Sequence, residues 1–124
     1  MRIRFKAATA AALLAASIVA HAEPMNGAKL REWIASDDGA LHLAATMYIM
    51  GISDDDAFLQ VGQQRGYMNA DPAPIHTCPA RRGAKGEALR QSVAQFIDEK
   101  PEYRKEAAIL AVRGALMRDF PCKN

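Results

Sequence analysis

Cysteine and histidine are scarce in this chain, apolar runs long enough to matter are confined to one place, and neither sign of charge dominates. There are two cysteines, three histidines, 16 Lys and Arg against 14 Asp and Glu, and 124 residues in all. Each shortage removes a class of function. The histidines, His21, His42 and His76, and the cysteines, Cys78 and Cys122, cannot be arranged into a zinc-type ligand spacing. No Ser-His-Asp or activated-thiol arrangement can be nominated either, so neither an enzyme nor a cofactor is expected. The near balance of charge gives no electrostatic footprint for nucleic acid. The densest acidic run, Asp54-Asp55-Asp56, fails as a calcium loop because Phe58 stands where an oxygen ligand is needed and the turn glycine is absent. It is read as a solvated acidic edge of a helix.

The single apolar run is N-terminal. Arg2, Arg4 and Lys6 precede Ala7 to Ala20, and Ala20-His21-Ala22 puts small residues at the positions a signal peptidase reads. A run of 14 residues falls short of the roughly 20 that span a bilayer. A cleaved leader ending at Ala22 is therefore expected, with export to the periplasm and no stable membrane insertion afterwards. The leader carries three basic residues and no acidic one, so the mature domain, residues 23–124, holds 13 basic against 14 acidic side chains. One domain with one modest core is expected at that length.

An even cysteine count in an exported chain favours pairing, which makes Cys78–Cys122 the expected disulfide. Closing a loop of this size stabilises by about 4 kcal/mol in the chain-entropy view. Pro79 after Cys78, and the lack of an activating neighbour, argue against a reactive thiol.

The mature chain reads as all-α, a small single-domain bundle of about four helices. Asn26 can cap a helix to Ala35 with Leu30, Trp33 and Ile34 on its apolar side. Ser36, Asp37 and Asp38 then break it and supply new caps. A long second helix is predicted from Gly39 to Gln64, apolar nearly all round between Leu41 and Ile52. Leu41, Met47, Tyr48, Met50 and Ile52 must then be surrounded, either as a central core helix or by a second subunit in a homodimer. A third helix is predicted over Glu87–Glu99 with Leu89, Val93, Phe96 and Ile97 inward, and a fourth from Pro101 to Phe120. These two should form an antiparallel hairpin. Gly114 in the fourth costs about 1 kcal/mol against alanine, which implies a close helix crossing there.

Between the second and third helices, residues 66–86 hold Pro72, Pro74 and Pro79 and form a long connection. Such length points to function. Tyr67, Met68, Asn69, Asp71, His76, Arg81 and Arg82 mix aromatic, amide and charged groups as interface anchors do, and they are the candidate partner-binding residues. The methionines elsewhere sit at helical spacing suited to core filling.

Asn26-Gly27, Tyr48-Ile49-Met50-Gly51-Ile52 followed by Asp54, the Cys78-Pro79 step, Leu89, Val93, Pro101, Arg104, Ala107, Leu110, Ala115-Leu116 and Phe120-Pro121-Cys122 together resemble the Rap/Tai-type periplasmic immunity proteins of type VI secretion. The likeness covers nearly all of the mature chain. It implies a small helical protein, often dimeric, that binds and blocks a peptidoglycan amidase effector. Trp33 and Ala45 stand near the places where many relatives carry a second cysteine pair, and Lys85 replaces a common threonine cap. The alternative is a small periplasmic stress chaperone of the single-disulfide helical type, with the Leu41 to Ile52 helix as its apolar surface.

Overall fold

The computed structural model describes residues 23–69 and 77–122. Four helices form the body: α1 (Gly27–Ala35), α2 (Gly39–Gln64), α3 (Gly86–Glu99) and α4 (Ala108–Asp119). Short 3-10 turns, Ala80–Arg82 and Pro101–Arg104, precede α3 and α4 respectively. No strand occurs among the described residues beyond two isolated bridges, Asn26 to Ala107 and Thr77 to Pro121.

The caps explain where α1 and α2 begin. Asn26 accepts the Lys29 amide at 2.8 Å and Asp38 accepts the Ala40 amide at 2.8 Å, each satisfying a donor that the first helical turn leaves without a partner. Gly27 is required by packing. A β-carbon there would collide with the Tyr103 carbonyl, so only glycine lets α1 start against the second 3-10 turn. The same contact is locked by Gly27 N–H donating to the Glu106 carbonyl and Ala108 N–H to the Met25 carbonyl. The latter bond serves as a cap for α4, since Ala107 has no side chain that could do so.

The core lies where α1, α2 and the α3–α4 hairpin meet. Leu30, Ile49, Val93, Ile97, Val112 and Leu116 are fully buried, with small Ala45, Ala108, Ala111 and Ala115 allowing close helix approach. Gly114 provides the predicted close crossing: a side chain at that position would run into the Phe96 ring. That ring has little room to move. Tyr103 meets it edge-on at 4.9 Å, and Lys100 and Arg118 sit over it at 5.1 and 5.4 Å.

Three expectations need correction. The fourth helix does not start at Pro101; the proline opens a 3-10 turn, and the chain runs extended through Ala107 to pair with Asn26 before α4 begins. The acidic run is not a solvated edge throughout, because residues two apart on a helix point to nearly opposite sides. Asp54 is exposed while Asp56 is completely buried. The methionines also divide differently: Met47, Met50 and Met117 are exposed, whereas Met68, expected at an exposed loop, covers Gly62 at the end of α2.

Nor is α2 surrounded within one chain. One face, Ala45, Ile49, Ile52 and Asp56, is buried, and Leu41 and Tyr48 beside it lie half-buried. The opposite face is open.

Candidate partner-binding surface

A clasp at the C-terminal end of the molecule positions the candidate surface. The Cys78–Cys122 disulfide is formed, with Cα atoms 4.8 Å apart, and the Cys78 amide donates to the Phe120 carbonyl at 2.8 Å. Thr77, just before it, is buried and tied to α2 twice: its hydroxyl donates to Asp56 at 3.2 Å, and its carbonyl accepts from the Gln60 amide at 2.9 Å. Arg113 of α4 completes the joint, with Nε 3.0 Å from Asp56 and a second nitrogen 3.1 Å from Asp55. Burial pushes the Asp56 carboxyl above the usual carboxylate range, against the pull of the Arg113 guanidinium and the Thr77 hydroxyl. The returning end of the long connection is thus pinned to both α2 and α4.

This clasp presents Arg81 and Arg82. Both are exposed on the 3-10 turn that follows Pro79, and a hollow of about 420 Å³ lies between them, the disulfide and Pro121. At the other end of the connection Tyr67 is 80% exposed and Asn69 is exposed. Met68 is turned inward onto Gly62, so it anchors the departing chain rather than offering a contact. Asp71 and His76 lie outside the described residues. Of the seven residues nominated from the sequence, Tyr67, Asn69, Arg81 and Arg82 therefore stand accessible.

The second component is a row that the sequence pattern did not resolve. Leu43, Met47, Met50, Phe58 and Val61, spaced along α2 with Asp54 between, share the side opposite the core; Leu43, Met47 and Phe58 are each about 60% exposed. The signal for it was present as near-uniform apolarity, but composition alone does not say which side of a helix is covered. Of the residues expected to be covered, Met47 and Met50 belong to this row and Ile52 belongs to the core.

The row and the clasp meet. A groove of about 160 Å³ runs between the C-terminal half of α2 and the disulfide turn, bordered by Asp54, Ala57 and Val61 on one wall and by Pro79, Ala80 and Arg81 on the other. No group of three or more His, Cys, Asp or Glu side chains that could hold a metal ion occurs among the described residues. His42 is half-buried with Nδ1 3.2 Å from the Ile34 carbonyl. No described helix is long and apolar enough to cross a membrane.

What this geometry can do is hold a surface rigidly toward another macromolecule, with aromatic, arginine and apolar groups on display. No curated protein and no solved structure matches the chain. A family model, however, matches residues 9–122, which is nearly the whole sequence and includes both cysteines, and on that match the chain belongs to the Rap1a immunity protein family.

Proposed function

We propose that the protein is exported, loses its leader after Ala22, and protects its own cell in the periplasm by binding a peptidoglycan amidase effector of type VI secretion and covering the catalytic groove. Membership of an immunity family supports a secreted effector as partner. The observation that carries the surface assignment is the row of exposed apolar side chains opposite the core face of α2, continuous with the groove beside Arg81. Inhibition by occlusion asks no chemistry of the inhibitor; buried area and excluded substrate suffice.

In this reading the protein is a homodimer formed by the upstream half of the row. A two-fold axis at Met47 sets Leu43 of each copy against Met50 of the other and leaves Asp54, Phe58, Val61 and the arginines for the effector. A chaperone would use the same apolar surface without a specific partner.

The test is titration of the mature protein into purified type VI secretion peptidoglycan amidase effectors of its own cell, read as peptidoglycan cleavage, with light scattering for mass. Stoichiometric loss of amidase activity and a dimer mass are expected. Undiminished cleavage at excess protein would sink the immunity reading, and suppression of aggregation of unrelated proteins in acid would favour the chaperone.

A further inference from the structure

We infer that the groove between α2 and the disulfide turn is a socket for one apolar side chain of the effector, and that the effector places a cationic side chain beside it to meet Asp54. The inference rests on the proposed binding of an effector and specifies what that effector must present.

The size of the groove selects the occupant. About 160 Å³ is room for one leucine-, methionine- or phenylalanine-sized side chain and too little for a small-molecule ligand, whose sites run to roughly 300–1,000 Å³. Ala57, Val61, Pro79 and Ala80 give it an apolar part, beside Ser53, Gln60, Gln64 and Thr77, whose polar groups also border it. Its walls are also fixed before any partner arrives. One is a continuous helix; the other is held to that helix by the Thr77–Asp56 and Thr77–Gln60 bonds and to the chain's end by the disulfide. A socket already in its final shape costs little ordering on binding, which is where strong interface anchors are found.

The rim carries both signs, Asp54 on the α2 wall and Arg81 on the wall opposite, and it is Asp54, set within the apolar row, that selects what accompanies that side chain. Asp54 has no ion-pair partner among the described residues, and it sits within the apolar row between Met50 and Phe58. A partner docking here strips water from the carboxylate, and that loss is offset only if the partner supplies a cation. A second copy of this chain cannot do so along the whole row. Antiparallel pairing centred between Leu43 and Val61 would bring the two Asp54 carboxylates close together, which is repulsive. The downstream half of the row therefore calls for a different protein carrying Lys or Arg next to its apolar anchor.

The experiment uses the mature protein, the type VI secretion amidase effector proposed as its partner, and two exposed-site variants, Ala57→Phe to fill the socket and Asp54→Lys to reverse the rim charge. Affinity by calorimetry, melting temperature and mass are measured for each. Both variants should bind more than tenfold more weakly with melting temperature and mass unchanged, and exchanging the effector's partner cation for Glu should restore binding to Asp54→Lys. If the wild type itself does not bind, the immunity reading fails and takes this inference with it. If the wild type binds and both variants match it, the socket alone is wrong. A change from dimer to monomer in either variant would make the groove a self-interface, and a lowered melting temperature in Ala57→Phe would mean that another part of this chain fills it; either result overturns the inference.

Discussion

Arg113 of α4 reaches across to Asp56 of α2, placing Nε 3.0 Å from a carboxylate that has no contact with solvent. The pair joins the two helices at the point where Thr77 is also held. Arg113→Ala would strand a buried carboxylate and should cost about 3 kcal/mol at neutral pH, at the lower end for a broken buried pair because Arg113 itself is partly exposed.

Acid should return part of that loss. With its folded-state pKa raised by burial, Asp56 holds a proton to higher pH than it does in the unfolded chain. Its protonation therefore adds stability as pH falls through the raised value and withdraws it as pH rises. Removing the guanidinium strengthens the effect. The deficit of Arg113→Ala in urea unfolding should thus be smaller at pH 5 than at pH 7, and an equal deficit at both would show that Asp56 does not titrate in that window. Asp98 and Asp119 work in the opposite sense. Arg31 and Arg118 respectively hold their carboxyls below the usual range, so their contribution is lost only as pH falls below about 4.

Two glycines in helix interiors should respond with opposite signs to alanine. Gly51 of α2 faces open space, so Gly51→Ala should gain up to about 1 kcal/mol from helix propensity. Gly114→Ala drives a methyl into the Phe96 ring, which Tyr103, Lys100 and Arg118 enclose, and should lose about 1–3 kcal/mol despite the same propensity gain. Thermal melts of the two variants check this. Stabilisation by both would mean that the ring is free to move aside.

Helix boundaries were legible in the sequence where a local signal sets them. Asn26 and Asp38 announce the starts of α1 and α2 by cap chemistry, and the ends at Ala35 and Gln64 follow from breaks in the pattern. The start of α4 was not legible, because Pro101 is equally suited to a 3-10 turn and the true start depends on the Asn26–Ala107 bridge, a contact between residues distant in sequence. The burial of Asp56 is not legible in the sequence for a related reason. Three adjacent aspartates look alike in sequence, and only helical rotation, together with Arg113 arriving from α4, makes one of them internal. Of the nominated partner-binding residues, Tyr67, Asn69, Arg81 and Arg82 are exposed as their type and position suggested, whereas the placement of Met68 depends on its contact with Gly62.

Breaking the disulfide should lower stability without unmaking the helices. Cys78 is buried and its partner lies beside Gln60, so the bridge fixes the chain end and the disulfide turn to α2, while the α3–α4 packing has its own apolar core. Cys78→Ser with Cys122→Ser should cost up to about 4 kcal/mol by the loop-entropy argument. Far-ultraviolet circular dichroism should remain close to that of the oxidised protein, with a lower melting temperature. Wholesale loss of helix signal at room temperature would mean that the hairpin depends on the crosslink to form at all.

The accessible ends of the long connection bear most directly on function. Tyr67 is almost fully exposed at one end, and Arg81 is exposed on the pinned turn at the other, where it also borders the groove. Neither makes an ion pair or side-chain hydrogen bond among the described residues, so replacing both with alanine should leave helix content and melting temperature nearly unchanged. Aromatic and arginine side chains are frequent interface anchors, and removing a true one costs upwards of about 2 kcal/mol, more than tenfold in affinity. On the proposed function, the double variant should therefore inhibit its effector at least tenfold less well and fail to protect cells that receive that effector. Full protection by a normally folded double variant would take the connection out of the contact and leave the exposed edge of α2 from Asp54 to Phe58 as the surface that meets the effector.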